Sequence, residues 1–348
     1  MDVKLNPRPL ETHVDWLHDD VQDESQWTYT LTESDQKELA NALAVAKSHS
    51  DNLLEIGLEQ FPLDKLATSL KTIERDLIEG PRGFVRIRAL ESGKYSDEDL
   101  TMLYWGIGIH LGDPWPQNHF GHVMGDVTDQ KKALDDPTLR GNEIGGIGLD
   151  YHTDGADLIG LMCLRPAKSG GQSCVANVVA IYNELVQSRP ELIAALYKPM
   201  PYDARGEQAK GGKPYYTFPV FTDHDDRLFV RFIPQYILAS QKHEGVPRIS
   251  DTAREALSVI SEMARQPKYN VYMDLRPGDM QFINNYHVLH GRSAYEDDVA
   301  AGYKRHLKRL WLSTRTLKDR PAHFQRREHS HWAQNISVSK IKAVDRVN

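Results

Sequence analysis

Apolar positions recur at helical spacing in some stretches of the chain and at strand spacing in others. Leu63, Leu66, Leu70, Ile73 and Leu77 follow one another at intervals of 3, 4, 3 and 4, one face of a helix that Gly80 would end. Upstream, Thr32-Glu33-Ser34-Asp35 has the form of a capping box and predicts a helix to about Ser48. Gly83-Phe84-Val85-Arg86-Ile87-Arg88 alternates apolar and basic side chains, as in a strand with one buried face. Ser96-Asp97-Glu98-Asp99 opens a third helix that passes Trp105 and ends near Leu111. Leu158–Leu164, Gln172–Val178, Met280–Asn284 and Leu307–Ser313 read as strands. Ala180–Leu196, interrupted by Pro190, and Asp251–Arg265 read as helices.

The intervening stretches are less regular. Trp16 and Trp27 are the expected anchors of the first thirty residues. Between 113 and 150 the chain is rich in Gly, Asp, Asn and Pro, with one short strand predicted at Gly121–Val127; a segment of that length and composition suggests a lid. Tyr215, Tyr216, Phe218, Phe221, Phe229, Phe232 and Tyr236 read as sheet core, because no basic stripe accompanies them to stack nucleobases. From residue 318 the tail is polar and basic and is expected to wrap the surface.

Many short strands between Gly and Pro turns, with helices grouped at the front and in one insertion, predict a mainly β fold: a sandwich or jelly roll with helical additions. The expected organisation is one domain over 1–348. It comprises a helical cap (1–80), a core (81–315) with a helical insertion at about 180–265, and a tail (316–348).

Composition narrows the partners. The 348 residues carry a net charge of −7, which disfavours nucleic acid because no large basic field is present to displace phosphate counterions. No run approaches the roughly 18 apolar residues of a membrane span, and the N-terminus has no apolar leader. Two cysteines, Cys163 and Cys174, are too few for a disulfide scaffold, so a reducing, cytoplasmic setting is expected. A small-molecule partner fits, and a homo-oligomer is left open.

The chemistry centres on Leu149-Asp150-Tyr151-His152-Thr153-Asp154. Residues two apart on a strand face the same way, so His152 and Asp154 could grip one ion. A later histidine would complete a 2-His-1-carboxylate set, which leaves positions open on Fe(II). Spacing alone does not choose that histidine in Asn284-Asn285-Tyr286-His287-Val288-Leu289-His290-Gly291-Arg292, where His287 rivals His290.

Four pieces stand in register: His152-Thr153-Asp154, Gly170-Gly171-Gln172-Ser173, Asn284-Asn285 through His290-Gly291-Arg292, and Arg305 followed four residues on by Arg309. Over roughly residues 80–315 the chain resembles the taurine/2,4-D dioxygenase-like (TauD/TfdA, clavaminate synthase-like) Fe(II)/2-oxoglutarate oxygenases. That resemblance implies a double-stranded β-helix and makes His152, Asp154 and His290 the iron ligands. It gives Arg305 the distal carboxylate of 2-oxoglutarate, with Ser173 adding a hydroxyl, and places Arg309 against the cosubstrate or an anionic group of the substrate. Tyr151 and Asp157, beside the ligands, are candidate substrate contacts.

The implied cofactors are Fe(II), 2-oxoglutarate and O₂. The implied reaction is oxidation, most simply hydroxylation, of a small polar carboxylate- or amine-bearing metabolite, with succinate and CO₂ released, in secondary metabolism. An Asp at the carboxylate position speaks against halogenation. Plainer readings stand beside these: outward-facing charges for Arg305 and Arg309, an ordinary hydroxyl for Ser173, and solvated histidines for His329 and His331. For the whole chain the alternatives are a non-catalytic jelly-roll binding protein or a cupin-type metal enzyme without 2-oxoglutarate.

Overall fold

The alternating stretches pair into two facing sheets in the computed structural model, which describes residues 8–10, 13–118, 120–133, 136, 139–208, 210–324 and 342–344. The larger sheet runs Thr28–Thr30, Phe84–Arg88, Met280–Asn284, Leu158–Arg165, His306–Ser313, His122–Val127 and Lys342–Val344, with Asp113–Pro114 paired beside His306–Ser313. The facing sheet runs Asn270–Met273, Ser173–Asn177, Val288–Arg292 and Leu149–His152. All core neighbours are antiparallel, and only the outermost strands of the larger sheet, 28–30 and 342–344, pair in parallel. This is the expected jelly-roll core.

Phe84, Ile159, Val175, Ile283, Val288 and Trp311 meet between the sheets and are buried. The helices pack outside. Lys65–Glu79 and Asp97–Leu111 cover the larger sheet and Glu33–His49 packs on those two helices, whereas Val178–Ser188 and Asp251–Ala264 lie on the smaller sheet. Local chemistry sets their ends. Thr32 and Asp35 form the reciprocal capping box. Asn177 accepts from the amides of Val179 and Ala180, so the chain turns from strand to helix at Val178, inside the predicted strand.

Two expectations need correction. Alternation made Arg86 a solvent-facing residue, yet it is buried: it pairs with Glu24 at 2.6 Å and its guanidinium lies 4.6 Å above the Trp27 ring. The tail does not simply wrap the surface, because Phe324 is buried edge-on against Phe218 and Tyr286. No helix among the described residues is long and apolar enough to cross a membrane.

Candidate active site

Strand pairing brings the two halves of the signal together. His152 ends the 149–152 strand, and the antiparallel register sets it directly opposite His290. Their ring centroids are 4.3 Å apart. Asp154 does not share the strand, contrary to the alternation that first coupled it to His152. The strand stops because the next amides turn aside: Thr153 N donates to Phe232 O at 2.8 Å, and Asp154 N to Asn285 Oδ1 at 2.9 Å. The Asn285 side-chain amide then donates back to the Asp154 and Ala156 carbonyls, both at 2.8 Å. A buried asparagine therefore aims Asp154.

The result is a convergent set of donors. One atom each of His152, Asp154 and His290 lies within 4.8 Å of the others. His152 Nε2 is 4.0 Å from Asp154 Oδ1, and His290 Nε2 is 3.6 Å from Oδ2. His152 Nδ1 donates to the Asp150 carbonyl at 2.8 Å, which fixes the tautomer and leaves the Nε2 lone pair facing inward. Burial, then the adjacent His290, pushes His152 down to about 4, so it is neutral at pH 7. Burial alone would raise Asp154, but the Arg309 guanidinium and His290 outweigh it and hold the carboxyl far below its ordinary range. Two imidazoles and a carboxylate converging in this way fit a single ferrous ion with open positions.

Arg309 and Trp311 alternate onto the inner face of the 306–313 strand. Arg309 Nη1 reaches Asp154 Oδ2 at 3.3 Å and Trp311 Nε1 reaches it at 3.1 Å, while Arg309 Nε donates to Gln117 at 2.9 Å. Arg309 is thus no outward charge. Together with the His152–Asp154 turn it lines a cavity of about 460 Å³, and residues 139–142 and 144 of the segment read as a lid line it as well.

Arg305 lies further down the barrel. It lines a separate cavity of about 300 Å³ with Gly170, Gly171 and Cys163. Its Nη2 donates to Gly171 O at 3.2 Å, its guanidinium lies 5.3 Å over Tyr295, and its Nη1 is buried with no hydrogen-bond partner among the described residues. Burial, then the charge of Arg292, lowers it to about 10, so it stays a cation at neutral pH. A buried cation with an unfilled donor is the kind of site a ligand carboxylate satisfies. Ser173 is also buried, but its hydroxyl donates across the barrel to Gln281 Oε1 at 2.5 Å.

The remaining candidates fall away from the cavity. His287 points outward and bonds Val14 O at 2.5 Å, leaving His290 as the histidine at the centre. Tyr151 is buried in the outer core rather than facing a substrate, since its strand neighbour His152 takes the inner face. Asp157 is also no substrate contact: it is 1% exposed and accepts from Tyr286, Ser313, Thr314 and Arg320. His329 and His331 lie outside the described residues. Sequence reasoning missed Trp311, Gln117 and the positioning role of Asn285. Alternation from Arg309 could have found Trp311, whereas nothing local marks Gln117.

The chain is similar to known proteins in sequence and in fold. Residues 45–311 match the model of the "Taurine catabolism dioxygenase TauD, TfdA family". FR-33289 synthase of Streptomyces rubellomurinus (strain ATCC 31215) is 30% identical over 332 residues, covering 92% of this chain and 94% of that protein. The taurine hydroxylase-like protein SAT17 of Stachybotrys chartarum (strain CBS 109288 / IBT 7711) is 28% identical over 321 residues, covering 88% and 80%. Among solved structures, an asparagine oxygenase in complex with Fe(II), 2S,3S-3-hydroxyasparagine and succinate superposes with a TM-score of 0.64. It is 17% identical, over 85% of this chain and 97% of that one, a likeness of fold.

Proposed function

The chain belongs to the TauD, TfdA family of Fe(II)/2-oxoglutarate-dependent dioxygenases, and we propose that it hydroxylates a small polar metabolite bearing a carboxylate or amine. In this reading His152, Asp154 and His290 hold the iron, and Arg305 takes the distal carboxylate of 2-oxoglutarate. The observation that carries it is the convergence of one donor atom from each of these three residues within 4.8 Å. When bound, iron with 2-oxoglutarate and O₂ supplies oxidative decarboxylation to succinate and CO₂ coupled to insertion of one oxygen into a substrate C–H bond.

The protein's own residues do the rest. The Asp150 carbonyl orients His152, Asn285 aims Asp154, and Arg309 with Trp311 steadies Oδ2 of its carboxylate. Residues 139–142 line the cavity beside the turn that carries Asp154. The buried thiols of Cys163 and Cys174 support a reducing, cytoplasmic setting, and a role in secondary metabolism is part of the proposal.

Neither alternative has comparable support. A non-catalytic binding protein has no use for a complete donor set, and a cupin-type enzyme without an oxo acid has no use for the unfilled Arg305 donor. Aerobic incubation with Fe(II) and 2-oxoglutarate tests the reading: succinate forms in the wild type and not in His290→Ala. Equal succinate from both proteins would reject it.

A further inference from the structure

Three buried polar atoms with no hydrogen-bond partner among the described residues belong to one group of side chains: Arg292 Nε, the Tyr295 hydroxyl and Arg305 Nη1. The three residues are 7%, 6% and 4% exposed. Both guanidinium groups lie over the Tyr295 ring, that of Arg292 at 4.8 Å and that of Arg305 at 5.3 Å from its centre. Each is otherwise held by neutral oxygens. Arg305 Nη2 donates to Gly171 O, and Arg292 Nη2 donates to Ile144 O at 3.1 Å and to Ile147 O at 2.8 Å. Neither guanidinium forms an ion pair with a carboxylate among the described residues, since Asp129 is paired with Lys131 and Asp297 accepts from the Arg305 backbone amide.

The group joins two segments that serve the site. In the oxygenase reading Arg305 is the cation that takes the distal carboxylate of 2-oxoglutarate. Arg292, two residues after His290, grips the chain at Ile144 and Ile147, where Gly145, Gly146 and Gly148 interrupt it and Gly146 takes φ +73°. Tyr295 holds the same turn from its backbone, its N–H donating to Gly146 O at 2.8 Å. Ile144 and the preceding residues 139–142 line the cavity beside the His152–Asp154 turn. Two desolvated guanidinium groups over one ring are each drawn to its face and repelled by one another. A carboxylate on Arg305 cancels one of the two charges. The arrangement in which both cations sit on Tyr295, and Arg292 holds Ile144 and Ile147, is then favoured over one in which Arg292 has moved away. The Tyr295 hydroxyl bonds nothing among the described residues, so the ring is what this residue contributes.

Resting on the oxygenase reading, we propose that Tyr295 and Arg292 are positioning residues through which an oxo acid on Arg305 orders the 144–148 turn, and with it one wall of the cavity beside the His152–Asp154–His290 centre. The coupling is reciprocal: whatever holds the turn in place also tightens the oxo acid. The cavity is thereby completed only once the cosubstrate is seated.

Hydrogen–deuterium exchange of peptides spanning 139–148, read by mass spectrometry, measures this coupling without turnover. Protein with Fe(II) alone is compared, without oxygen, with protein holding Fe(II) and 2-oxoglutarate. Loading is expected to slow exchange there about tenfold in wild type and in Tyr295→Phe, which keeps the ring, and to leave it unchanged in Tyr295→Leu. Tyr295→Leu is also expected to raise the 2-oxoglutarate Kd about tenfold, and Tyr295→Phe to leave it as in wild type. A ring that merely fills space predicts something else: Tyr295→Leu then exchanges faster with and without the oxo acid, and the ratio between the two states survives. That result would overturn the proposal. If Tyr295→Leu fails to fold, Arg292→Met decides, since it is expected to keep the visible band of the iron–oxo acid chelate and to lose the protection that loading brings. Protection retained in Arg292→Met counts against the proposal. A missing band in wild type rejects the oxygenase reading, whereas a band without protection rejects only the coupling.

Discussion

Replacing Asn285 with alanine probes how the carboxylate of the centre is held. Asn285 is 1% exposed, and its side chain makes three hydrogen bonds at 2.8–2.9 Å, all to the backbone of the turn that carries Asp154. The backbone bond from Asn285 N to Asp157 O at 2.9 Å survives the change, so the turn stays attached at one end. Each buried group left unsatisfied costs about 1–3 kcal/mol, and water entering the space offsets part of that. A net loss of about 3 kcal/mol in unfolding free energy is expected. Metal affinity is expected to fall about 10- to 100-fold, the usual cost of losing a residue that orients a ligand.

Urea unfolding gives the first quantity, and anaerobic Fe(II) titration of the folded protein, followed by calorimetry, gives the second. The two must move together. A variant that is destabilised but binds Fe(II) as well as wild type would show that Asp154 is not aimed by this turn or is not a ligand.

Other perturbations follow from single contacts. Arg305→Ala is expected to raise the 2-oxoglutarate dissociation constant about a hundredfold, from roughly 3 kcal/mol for losing a buried charge partner; anaerobic titration measures it, and an unchanged constant removes Arg305 from that role. Asp157→Asn weakens a buried pair with Arg320 at 2.5 Å and costs about 3 kcal/mol by urea unfolding, with Fe(II) affinity altered far less than in Asn285→Ala. Burial lowers His287 from 6.5 to about 4, so the folded state binds fewer protons than the unfolded one between those values. Its contribution is present above pH 6.5 and is lost as pH falls toward 4, by about 3 kcal/mol. His287→Gln should flatten the stability profile in that window, and a profile as steep as wild type would contradict the assignment.

Much of the fold was legible because local signals matched the elements they predicted. Thr32 and Asp35 cap a helix by chemistry confined to four residues, and the strand at 280–284 appears where its apolar run stands. What local pattern could not carry was contact between distant segments. Arg86 looked exposed because alternation cannot foresee Glu24 and Trp27 arriving from another part of the chain. The choice of His290 over His287 depended on resemblance, and strand pairing with His152 supplies its physical reason. The reason first given for Asp154 was wrong, since a turn held by Asn285 aims it and strand alternation does not. Arg205 and Arg231 drew no notice, because only the folded chain brings them to the wall of one cavity.

The proposed function requires one ferrous ion among His152, Asp154 and His290 with an oxo acid beside it. Anaerobic addition of one equivalent of Fe(II) and then 2-oxoglutarate, followed by visible absorption, tests this most directly. A charge-transfer band that saturates with 2-oxoglutarate in wild type, and is absent in Asp154→Ala of unchanged fold, is the predicted result. Wild-type protein that shows no band, or a band undiminished in Asp154→Ala, would contradict it.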